Sequence, residues 1–107
     1  MSGSLGLVGD YTMRWEGIAD KSIWIVRLEE GLGGDVFDYV AVPPRVISCF
    51  HVDEWLIGEW DMDGGRRAFA INIAENEVSF RLCLEDVMLL ADLSKAQLGS
   101  DFVTSLP

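Results

Sequence analysis

Apolar and polar residues alternate along most of this chain. In YTMRWEGI (11–18), Tyr11, Met13 and Trp15 share one face and Thr12, Arg14 and Glu16 the other, the period of a half-buried strand. After a turn at Asp20-Lys21-Ser22, IWIVRLE (23–29) is rich in β-branched and aromatic residues and apolar on both faces at its start, which predicts a central strand. GLGGD (31–35) reads as a loop and VFDYVAV (36–42) as a third strand. Pro43-Pro44 then interrupts any ladder, because proline has no N–H to donate. Residues 45–60 fit both a strand and a helix, and strand is favoured because Val46 and Ile47 are stiff in helices.

Beyond Gly58 the period of two sharpens into a three-stranded meander. Trp60 and Met62 oppose Asp61 and Asp63; Phe69, Ile71 and Ile73 alternate with Ala68, Ala70, Asn72 and Ala74; Val78, Phe80, Leu82 and Leu84 alternate with Ser79, Arg81 and Cys83. The links are Asp63-Gly64, two residues that tolerate positive φ, and Glu75-Asn76-Glu77.

The period then changes. Leu84, Val87, Met88 and Ala91 follow helical spacing, Glu85 and Asp86 favour the positive end of a helix dipole, and Gly99 is placed to end the element. The pattern predicts an α+β fold: an antiparallel, meander-like sheet of five or six strands with one C-terminal amphipathic helix, about 85–98, packed on one face. Residues 11–107 make a single domain of this kind, residues 1–10 a flexible N-terminal arm, and Phe102 and Val103 give the tail a means of docking.

Charge narrows the function classes. The chain carries 18 acidic and 8 basic residues, a net charge of −10. Residues 1–28 balance, whereas residues 29–63 hold nine carboxylates against Arg45 alone. Such a field repels nucleic acid and anionic lipid and attracts basic surfaces, although charge of this kind also serves solubility alone. No apolar run is long enough to span a bilayer and no secretory leader is evident, so the expectation is a cytoplasmic protein with no membrane partner. Cys49 and Cys83 are then buried thiols rather than a disulfide.

EWDMDGGRRAF (59–69) invites a calcium reading, but the positions that should be acid, glycine and glutamate in an EF-hand loop are Gly65, Arg66 and Asn72. Paired carboxylates at Glu59, Asp61 and Asp63 lack any companion for acid–base catalysis. Cys49, His51 and Asp53 share one face of a strand and are zinc-competent types, yet no CxxC or HxxxH spacing supports a site. GLGGDV (31–36) lacks the last glycine of a dinucleotide loop and sits among carboxylates that repel phosphate. Arg66-Arg67 is a lone basic pair with no aromatic platform.

The expectation is therefore a non-enzymatic, cofactor-free acidic binding module of inhibitor or immunity type. It would cap a basic protein, such as a toxin or a nucleic-acid-handling enzyme, through Asp53, Glu54, Glu59, Asp61 and Asp63 around an exposed Trp55. Two alternatives stand beside it: a structural module that pairs two copies through strand edges, as a homodimer, and a small metal- or ligand-binding enzyme using Cys49, His51 and Asp53.

Overall fold

Among the described residues the alternation resolves into eight strands rather than five or six, and into two sheets rather than one. A computed structural model of the chain describes residues 2–17, 22–62 and 64–92. The first sheet is β1 (Ser2–Val8), β2 (Tyr11–Glu16), β3 (Ser22–Glu30) and β4 (Val36–Val42), antiparallel and in chain order. The second is β5 (Val46–Val52), β6 (Trp55–Met62), β7 (Gly65–Asn72) and β8 (Glu77–Arg81), again a simple meander. A seven-residue helix, α1 (Leu84–Leu90), follows β8.

The boundary falls at Pro43-Pro44, as proline's missing donor dictates. The consequence is a change of sheet, not a break within one. Each sheet has one strongly apolar face, and the two faces stack. Tyr11, Met13, Ile23 and Ile25 of the first sheet share a core with Leu56, Trp60, Phe69 and Ile71 of the second. Burying each of these side chains contributes about 1.5–3 kcal/mol. The residues 45–60 that fitted both patterns are strands, with Val52 paired to Trp55 across the turn.

The second sheet is apolar on its other face too. There Val52, Ile57, Ala68 and Ala70 lie beneath Val87 and Met88 of α1. The small side chains of Ala68 and Ala70 leave room for the helix. The helix is shorter than its periodicity suggested: Leu90 is its last residue, Ala91 caps it, and Asp92 turns into the left-handed region at φ 54°. Residues 93–107, where Lys95, Gly99, Phe102 and Val103 were expected to finish the helix and dock the tail, lie outside the described residues.

The stretch expected to be a loose arm carries β1. Its register runs from Ser2 opposite Glu16 to Val8 opposite Tyr11. A Cβ at Gly3 would run into the Trp15 indole, so glycine here lets an aromatic ring lie across the strand backbone. The meander's first link is as expected: Met62 pairs with Gly65, and Gly64 has φ 79°. Ile18, Asp20, Lys21 and Asp63 lie outside the described residues. Among the described residues, no helix is long and apolar enough to cross a membrane.

Candidate functional site

The strand order places four hairpin turns at one end of the sandwich. Backbone and side-chain bonds tie them together: Leu28 N–H donates to Asp10 O, Arg27 and Tyr11 both donate to Asn76, and Ile73 N–H donates to Glu54 O. Asp10 belongs to the β1–β2 turn, and Glu29, Glu30 and Asp35 to the β3–β4 hairpin. The β5–β6 turn adds Asp53 and Glu54, and the β7–β8 turn adds Glu75 and Glu77. All but Glu29 are exposed. Arg27 is the cation at this end among the described residues, and it is ion-paired with Glu29 and stacked 4.9 Å from the Tyr39 ring centroid. Apolar side chains project among the acids: Leu32 is fully exposed, and Val36 and Phe37 are largely so.

The opposite end is different. Arg45 and Asp61 exchange backbone bonds of 3.2 and 2.8 Å there, and Arg66, Arg67 and Arg81 sit on the neighbouring strand ends. Among the described residues these arginines share that end with Glu16, Asp61, Glu85 and Asp86, so the excess of negative charge lies at the hairpin end.

This arrangement divides the residues singled out in the sequence. Asp53 and Glu54 lie on the acidic end, Asp53 at φ 52° in the turn. Glu59 lies midway along β6, where its N–H is bonded to Ser48 Oγ and its carboxylate lies 3.9 Å from Arg66. Asp61 is at the far end, opposite Arg66 in register. Trp55 is not an exposed anchor: it is half-buried against the apolar cluster beneath α1. The acidic stretch 53–63 therefore runs the length of a strand instead of forming one patch. The carboxylates that do gather, including Glu30, Asp35 and Glu75, come from hairpins far apart in sequence.

Cys49 is wholly buried in the inter-sheet core, and burial pushes its thiol up to about 12. Cys83, expected to be buried, is exposed just before α1, since β8 has ended by that point. His51 Nε2 lies 3.0 Å from the Asp53 backbone oxygen. Among the described residues, no group of three or more His, Cys, Asp or Glu side chains is placed to hold a metal ion.

A second feature had no sequence signal. Between β4 and β8, the edge strands of the two sheets, a cleft of about 640 Å³ opens to solvent. Tyr39, Trp60, Val78 and Phe80 form its apolar walls, and Arg27 and Arg67 also line it. Trp60 is buried, and among the described residues its indole N–H has no hydrogen-bond partner; the Phe80 ring lies 5.2 Å away, tilted by 54°. Alternation marked Trp60, Val78 and Phe80 as one-faced, but which edges would meet depends on the stacking of the sheets.

No protein-family model matches this chain, and neither a characterised protein nor a solved structure shows significant similarity to it.

Proposed function

We propose that this protein is a binding module that caps a basic protein partner with the hairpin end of its sandwich, in the manner of an inhibitor or immunity protein. The observation that carries this reading is the gathering of eight carboxylates from four hairpins around exposed Leu32, Val36 and Phe37. A concentrated field of one sign steers an oppositely charged partner and fixes its orientation. Steering alone gives little affinity once salt screens it, so a desolvated apolar contact is also needed. Leu32 at the tip of the β3–β4 hairpin, flanked by Glu30 and Asp35, supplies such a contact. Asp53 and Glu54 remain part of the proposed surface. Glu59 and Asp61 drop out of it because Arg66 faces them. A cytoplasmic setting accords with two free cysteines.

The test is affinity capture from the source cell with the wild-type chain and with a Glu30→Lys, Asp35→Lys, Glu54→Lys, Glu75→Lys variant. A basic protein retained by the first and lost by the second supports the reading; equal retention overturns it.

A second reading is favoured by β4. It is a free edge of seven residues in which Val36, Phe37, Tyr39 and Val40 are all exposed, and such an edge is a template for another strand. Two copies paired along β4 would join their sheets. A salt-insensitive dimer mass by light scattering, reverting to monomer with Tyr39→Lys or Val40→Lys, would favour self-pairing over capping.

A further inference from the structure

We infer that the cleft between β4 and β8 binds a small carboxylic acid with a flat apolar body, an aryl carboxylate. The ring would sit between Tyr39, Trp60 and Phe80, and the carboxylate would face Arg67 and Arg81. The cleft's volume of about 640 Å³ falls within the range of small-molecule sites. Its walls are aromatic on both sheets, which suits a flat ring through offset or edge-to-face contact.

The charge of the ligand follows from Arg67. This side chain is half-buried and lines both the main cleft and an adjoining one of about 370 Å³, which Arg81 also lines. Its guanidinium donates to the Arg66 backbone oxygen at 3.2 Å, and among the described residues no carboxylate pairs with it. Carboxylates outnumber bases 18 to 8 in this chain, so a half-buried arginine left without one stands out. A cation held against apolar walls favours an anion that desolvates with it, and a guanidinium matches a carboxylate with two parallel bonds. Asp86 lines the adjoining cleft too, and limits how far an anion extends in that direction. The net charge of −10 does not forbid the ligand. The cleft reaches the hairpin end at Arg27 and Asn76, but Arg67 lies toward the other end of the strands, and screening at physiological salt acts within about 8 Å.

This site lies on the side of the sandwich and borders the hairpin end only at Arg27 and Asn76; its test reads ligand binding and not partner capture, so either proposal can fail without the other. The experiment is calorimetric titration of the full chain with 1-naphthoate and with neutral 1-naphthylmethanol, which carries the same ring. The expected result is saturable binding of the acid, at least tenfold tighter than the alcohol. Arg67→Gln should erase that preference, Arg67→Lys should restore part of it, and Val78→Trp should fill the cleft and abolish both. Circular dichroism verifies each fold. If Arg67→Gln does not fold, Arg81→Gln and the wild-type comparison decide. Equal binding of acid and alcohol, no saturable binding of either, or an unchanged preference in a folded Arg67→Gln chain would overturn the inference.

Discussion

Arg14 reaches across β3 to Asp38, spanning the strand at the position of buried Val26. The guanidinium donates to both carboxylate oxygens, at 2.8 and 3.0 Å. Arg14 pairs with Trp24 and Asp38 with Leu28, so the bridge crosses β3 at Val26, which is fully buried although among the described residues no helix or second sheet packs on that face. A bridge of this span lays the hydrocarbon stem of Arg14 along β3, where a long charged side chain can shield apolar surface.

Arg14→Ala should therefore lower stability by about 1 kcal/mol, more than an exposed ion pair alone supplies. Asp38→Ala should cost less, because the stem remains. Urea denaturation of the two variants checks the order. A larger loss for Asp38→Ala would show that the charge, not the cover, matters at this position.

Gly58 and Gly6 should respond oppositely to alanine. A Cβ at Gly58 would meet the Ser48 carbonyl and lie 2.9 Å from the Phe69 ring, whereas one at Gly6 meets nothing within 4 Å. Backbone cannot yield as a flexible side chain can, so Gly58→Ala should cost about 3 kcal/mol. Gly6→Ala should be nearly neutral. Thermal melts of the pair test whether β5 and β6 approach as closely as described.

The buried thiol predicts an alkaline weakness. Cys49 holds its proton up to about 12 when folded, against 9.0 for an ordinary thiol. A raised folded pKa gives stability that is present below pH 9 and lost as pH rises toward 12. The loss should approach about 1.4 kcal/mol per pH unit within that window. Cys49→Ala should flatten this part of the pH–stability curve relative to wild type. At neutral pH a thiol reagent should label Cys83 in the native chain and both cysteines in denaturant, because Cys49 lies wholly buried.

Most strands were legible because side-chain period is a local property. VFDYVAV and IWIVRLE mark their elements to within a residue. β1 was not legible: SGSLGLV is poor in strand formers, and its place depends on pairing with β2 and on the Trp15 ring close over Gly3, both contacts between strands. The number of sheets was hidden for a related reason. Pro43-Pro44 announces an interruption, but only the apolar inner faces of both halves say that the chain folds over. The helix looked longer because Ala91 continues its spacing, while the left-handed turn at Asp92 leaves no pattern.

The acidic surface was legible in amount and misplaced in space. Counting along residues 29–63 found the excess, but a β-strand carries its ends far apart. Glu54 and Asp61 are consequently separated by nearly the whole of β6. Asp10, Glu30, Asp35 and Glu75 meet only because four hairpins share one end.

That separation gives the most direct test of partner capping. Two charge-reversed chains are compared with wild type in capture from the source cell, at low and high salt: Glu30→Lys, Asp35→Lys, Glu54→Lys, Glu75→Lys at the hairpin end, and Glu59→Lys, Asp61→Lys along β6. A basic partner should be kept by wild type and by the β6 variant. The hairpin-end variant should lose that partner, and high salt should weaken its capture. Retention by the hairpin-end variant, with a native circular dichroism spectrum, would contradict it.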